Sequence, residues 1–85
     1  PDMDCEIVFD PREWRAAYIV VKRCPPPLTP PGLNEVIRLV ASLGGYLGRK
    51  HDGPPGAKAM WIGLQRLRDF VIALEAQQDV AMRCV

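Results

Sequence analysis

Four carboxylates crowd the first ten residues, Asp2, Asp4, Glu6 and Asp10, and clustered acids are the raw material of a two-metal phosphoryl-transfer site. Such a site needs a rigid scaffold behind each ligand. A terminal segment without apolar periodicity does not supply one, so no metal role is expected of these acids. Cys5, Cys24 and Cys84 together with His51 offer four possible zinc ligands. They include no Cys-x-x-Cys pair, and their separations match no common zinc site. An odd, widely spaced set of thiols argues against a disulfide framework and for a reducing compartment. Neither Ser42 nor any cysteine has a sequence context that implies an activating base, so no nucleophile is assigned.

Gly44, Gly45 and Gly48 followed by Arg49-Lys50 raise the question of a phosphate loop. The P-loop pattern needs a strand before the glycines and a hydroxyl residue after the lysine. Here a helix precedes and His51 follows. What remains is a basic cluster, Arg49, Lys50, His51 and Lys58, near the start of a helix, where backbone N–H groups attract anions. With Arg66 and Arg68 farther along the same helix, this cluster supports an alternative reading as an accessory module that contacts the DNA backbone. Four or fewer phosphate contacts give only weak, salt-sensitive affinity.

The elements that must position these residues are helical. Eighty-five residues make one small domain, which buries only about 60 to 65% of the surface its unfolded chain exposes. Nearly half the residues are apolar, which excludes intrinsic disorder, and a net charge of +1 gives no global attraction to polyanions. No apolar run approaches the ~20 residues needed to cross a bilayer, and no basic-then-apolar leader is present, so a soluble cytoplasmic protein without a membrane partner is expected. The chain opens on Pro1 with no initiator methionine, which reads as a piece of something longer.

Residues 1–6 have no partner pattern and read as a frayed lead-in or linker; residues 7–85 read as the domain. Asp10-Pro11-Arg12-Glu13 starts the first helix, with Asp10 as cap, Pro11 in the first turn and Glu13 at the capping-box position. Trp14, Ala17, Tyr18 and Val21 then form a buried stripe. The stretch from Cys24 to Pro31 holds five prolines and must be an extended connector. Its Pro27-Leu28-Thr29-Pro30 has the loose P-x-x-P form, but a rigid spacer explains it without a partner. Thr29 is the expected cap of the second helix, whose apolar face is Leu33, Val36, Ile37, Val40 and Leu43 and whose end is Gly44-Gly45.

The third helix runs from about Ala57 to at least Val80. Met60, Leu64, Leu67, Val71, Leu74, Gln78, Ala81 and Val85 follow a four-three spacing along it. Gly63 interrupts one turn at a cost of about 1 kcal/mol relative to alanine, which points to close approach of another helix or of the glycine-rich loop. About 25 helical residues extend ~37 Å, farther than two short helices can cover. A second copy of the same helix is the simplest cover, since identical surfaces pack readily about a two-fold axis. The expected homodimer surface is Phe70, Val71, Leu74, Gln78 and Ala81, supported by a core of Trp14, Tyr18, Val36, Val40, Trp61, Leu64 and Leu67; a charge at Leu74 leaves that core untouched if the two surfaces are separate. The fold class is therefore all-α, three helices with the last one longest, joined by Pro-rich and Gly-rich loops.

The blocks in this order also resemble a known family. Glu13-Trp14-Arg15-Ala16-Ala17-Tyr18, Lys22-Arg23, Pro25-Pro26-Pro27, Leu33-Asn34-Glu35-Val36-Ile37-Arg38, and above all Leu43-Gly44-Gly45-Tyr46-Leu47-Gly48-Arg49-Lys50 running on to Trp61-Ile62-Gly63-Leu64 are similar to the C-terminal domain of bacterial cut-and-paste DDE transposases. These belong to the Tn-five and insertion-sequence-four type, and the likeness spans about residues 7 to 75. Cys24, His51 and Pro54 stand where that pattern usually has a basic residue, a glycine and an acid. The resemblance implies a domain that joins two protomers so that both ends of a mobile element are held and cut together. It also implies that transposon-end DNA is a partner through the parent protein, that the divalent metal and its acidic triad belong to a separate ribonuclease-H-like core, and that this chain binds no cofactor or small-molecule substrate of its own.

Overall fold

The computed structural model of the chain describes residues 2–83. A 3-10 turn at Cys5–Ile7 precedes α1 (Pro11–Lys22), α2 (Leu33–Leu43) and α3 (Ala57–Arg83). Among the described residues no strand forms, and the one β-type pairing is an isolated antiparallel bridge between Asp4 and Gly32. The domain is the three-helix, all-α arrangement expected.

Local chemistry starts α1 as anticipated. The Asp10 carboxylate accepts from the N–H groups of Arg12 and Glu13 at 2.9 and 3.1 Å, and the Glu13 carboxylate accepts from the Asp10 N–H at 2.9 Å. Partial desolvation works to raise the Asp10 pKa, but the hydrogen bonds from Glu13 and Arg12 outweigh it and leave the carboxyl below its ordinary value. A depressed folded-state pKa contributes stability that is complete above the unfolded aspartate pKa and lost as pH falls through the folded one. Asp10→Ala should therefore cost about 1 kcal/mol at neutral pH. That deficit relative to wild type should close only on acidification below the ordinary aspartate range, a trend that thermal melts across pH would read. A deficit unchanged to the lowest pH would show that the carboxylate charge is not what caps α1.

The core is Trp14, Ala16 and Ala17 of α1, Val36, Leu39 and Val40 of α2 and Leu67 of α3, with Cys5 and Phe9 closing one end. Trp14 is 0% exposed and its indole N–H donates to the Glu6 carboxylate at 2.9 Å, so the largest buried residue leaves no polar atom unpaired. Tyr18 and Val21, expected in the same stripe, are half-buried at its margin.

Residues 2–6 of the segment expected to fray instead dock. The Leu33 N–H donates to the Met3 carbonyl at 2.6 Å and the Cys5 N–H to the Pro31 carbonyl at 3.2 Å, while Cys5 itself is fully buried. Through this pairing Asp2 reaches the start of α2, where its carboxylate accepts from the Asn34 N–H at 3.0 Å. Thr29 is not the cap: it is exposed, the helix starts at Leu33, and the residue in the cap position is Gly32, which has no side chain to offer. A Cβ there would overlap the Asp2 carboxylate. The missing side chain is what lets an acid thirty-two positions away act as the cap.

α2 ends in the glycine pair as expected, with Gly45 at φ +99° and N–H groups of Gly45 and Tyr46 returning to the carbonyls of Ser42 and Ala41 at 3.1 and 3.0 Å. Gly44 does something further. A Cβ on Gly44 would overlap the Ala59 carbonyl oxygen, and one on Gly63 would overlap the Val40 carbonyl oxygen and come within 3.1 Å of Val40 Cγ1. The two backbones touch here, glycine against glycine, which fulfils the close approach expected at Gly63. Trp61 does not join this core. It is 63% exposed, because it stands six residues before buried Leu67, about 120° around the helix.

Candidate functional site

Each of the four N-terminal acids holds a structural hydrogen bond. Asp2 caps α2, Asp4 accepts from the Glu6 N–H at 2.9 Å to close the 3-10 turn, Glu6 holds the Trp14 indole and Asp10 caps α1. Among the described residues no group of three or more His, Cys, Asp or Glu side chains converges as metal ligands. Cys5 is buried, Cys24 and His51 are exposed, and Cys84 lies outside the described residues, as does Val85 of the expected seam. Burial first, then the carboxylates of Asp4 and Glu6, push the Cys5 thiol up and keep it protonated and inert.

The basic cluster is divided by its own contacts. The Arg49 N–H and guanidinium both bind the Asp52 carboxylate, at 2.9 and 3.5 Å. Tyr46 tightens the same loop by donating to the Gly53 carbonyl at 2.6 Å and accepting from Arg38 at 3.2 Å. Arg66 reaches back to donate to the Leu43 carbonyl, satisfying the end of α2. Lys50, Lys58 and Arg68 remain exposed with no ion-pair partner among the described residues. Arg66 and Arg68 also point to opposite sides of α3, being two residues apart on a 3.6-residue period. The three cations predicted on α3 therefore do not share one face.

The apolar seam of α3 is continuous but its surroundings change. Met60, Leu64, Val71 and Leu74 are half-buried against the core. Of the five residues expected at a self-association surface, Phe70, Val71 and Leu74 are half-buried within the single chain, whereas Gln78 and Ala81 are exposed. Core and seam are not separate surfaces: Val71 and Leu74 pack against the core cluster and continue the exposed seam at once. Beyond Leu74, α3 runs on to Arg83 and leaves Val80 and Met82, 60% and 77% exposed, in an outline of 49 × 25 × 20 Å.

Sequence reasoning missed the recess beside that seam. Ala16 and Ile19 of α1, Pro26 of the connector and Val71 and Leu74 of α3 floor a groove whose rim carries Arg12, Arg15, Glu75 and Gln78. Arg12 crosses the groove to Glu75 at 3.3 Å. Ile19, Val20 and Pro26, apolar residues outside the predicted stripe, were the signal available in the sequence for this second face of α1.

Three comparisons set these features among known proteins. A family model described as the transposase Tn5 dimerisation domain matches residues 1–80. No curated protein and no solved structure matches the chain.

Proposed function

Because the chain belongs to the family of Tn5 transposase dimerisation domains, we propose that it joins two transposase protomers through the distal part of α3, so that the two ends of a mobile element are held in one synaptic complex. The observation that carries this reading is the seam itself. A spacing that buries Leu67 and half-buries Val71 and Leu74 continues to Gln78 and Ala81, which nothing among the described residues covers. A helix of 27 residues is about 40 Å long, and its overhang is a cost to a monomer that a two-fold related copy removes. Phe70, Val71, Leu74, Gln78 and Ala81 form the contact. Cutting belongs to a metal-dependent core elsewhere in the parent protein, which brings the transposon-end DNA; this chain contributes no nucleophile and no metal ligand. The setting is the bacterial cytoplasm. Among the described residues no helix is long and apolar enough to cross a membrane.

Ala81→Asp is the direct test. Ala81 is exposed in the single chain, so a carboxylate there leaves the fold alone but must be desolvated, once from each copy, when the seam closes. The cost is several kcal/mol per buried ion even after relaxation. Sedimentation equilibrium should find a wild-type dimer and an Ala81→Asp monomer, with circular dichroism unchanged between them. A wild type that stays monomeric to high concentration would reject self-association by this chain.

A further inference from the structure

The groove between α1 and the end of α3 is apolar at its floor and charged at its rim, and the charges are sorted by helix. α1 and its C-terminal cap present Arg12, Arg15, Lys22 and Arg23 to solvent, whereas α3 beyond Arg68 carries Asp69, Glu75 and Asp79 against Arg83 alone. One such pair, Arg12 with Glu75, closes within the chain at 3.3 Å, and Lys22 approaches Glu35 at 3.8 Å. That leaves Arg15, whose guanidinium lies 5.3 Å from the Trp14 ring centroid, and Arg23 on the basic side, with Asp69 and, nearer the helix end, Asp79 on the acidic side; none of the four has an ion-pair partner among the described residues. The apolar floor also does not stop at the groove. Ile19 and Pro26 continue it into a neighbouring recess with Val20, Cys24 and Pro25.

We propose that the occupant of this groove is the distal α3 of a second copy, so that the dimer is a reciprocal exchange in which each helix end lies on its partner's α1 and proline connector. Resting on the dimerisation reading above, this assignment adds a second half to the interface. The helix end from one copy places Ala81 on the wall made by Ile19 and Pro26, and Asp79 of the partner subunit comes within ion-pair reach of Arg15. Two features select a second copy over another protein. The surface missing from the groove, a short apolar seam flanked by an acid, is what the same chain exposes at its far end, and an isologous contact satisfies both copies in one step. The connector also comes pre-ordered, because its prolines have little backbone entropy left to lose on binding.

A charge swap distinguishes the groove from the seam. Arg15→Glu and Asp79→Arg should each weaken the dimer by roughly tenfold or more, since each change enters the interface twice, and the double variant should recover most of the loss, as a close ion pair requires. Sedimentation equilibrium measures the constants and thermal melts control for folding. Asp79 is exposed and has no ion-pair partner among the described residues, so its variant tests the contact even if Arg15→Glu disturbs the Trp14 ring beneath it. A wild-type dimer unaffected by Asp79→Arg, or a double variant no tighter than the weaker single, would overturn the exchange while leaving dimerisation through the seam intact. A monomeric wild type would remove both.

Discussion

Gly63→Ala is expected to destabilise the domain rather than improve a helix. By propensity alone the change should favour the folded state by about 1 kcal/mol, since glycine is a poor helix residue. The methyl group has nowhere to go. It would overlap the Val40 carbonyl oxygen, a backbone atom that cannot rotate away, and would press within 3.1 Å of Val40 Cγ1. Relief requires α2 and α3 to separate, which unpacks Val40, Leu39 and Leu67 and parts the facing contact between Gly44 and Ala59. Overpacking of this kind costs roughly 1–3 kcal/mol and more where backbone must move. In a domain of this size each kcal/mol shifts the melting temperature by about 4–8 °C. A net fall of 10 °C or more by circular dichroism is the expected result. An alanine variant that melts at or above the wild-type temperature would show that the helices do not meet at this glycine.

The second large effect is expected at Leu74, which packs on the core and belongs to the proposed contact between copies. Leu74 is half-buried on the core cluster and floors the groove beside α1. Leu74→Asp therefore gives up part of the ~1.5–3 kcal/mol that burial of a leucine contributes and places a carboxylate on an apolar floor, beside the Arg12–Glu75 pair. Both the melting temperature and the dimer should fall, by roughly 2–4 kcal/mol in stability and to a monomer in sedimentation. Ala81→Asp, on the same seam but clear of the core, should lose the dimer alone. A Leu74→Asp chain that melts like wild type would remove Leu74 from the core; one that still dimerises would remove it from the interface.

What the sequence could disclose followed the range of each interaction. The capping box of Asp10 and Glu13 acts over three residues, and so was readable. The same holds for the glycine pair that ends α2, and for Gly63, whose cost inside a helix demands a reason whatever the partner. The Asp2 cap of α2 spans thirty-two positions and depends on Gly32 having no side chain, so nothing near Thr29 could have ruled out the nearer hydroxyl. Arg66 offers a similar lesson, since its role as a donor to Leu43 exists only once α3 lies across the end of α2. Trp61 misled by its size. Its position on the helical period, away from Leu67, was the better guide. The seam at Phe70 to Ala81 was visible as spacing, but the groove beside it needs two helices and a proline connector in place before it exists at all.

The glycine contact between α2 and α3 has a mechanical meaning as well. From Gly63 to Arg83, α3 extends roughly 30 Å, fixed at Gly63 by backbone that cannot give, steadied by the core at Leu67, Val71 and Leu74 and by the Arg12–Glu75 pair, and exposed beyond them. It is a cantilever. A tilt of about 5° at the clamp would carry the tip through roughly 2.5 Å at that length, enough to take an ion pair or a packed methyl group out of register. Stiffness at Gly44 and Gly63 therefore limits how far the tip of α3 can swing, and side chains far from that tip help to decide where it points.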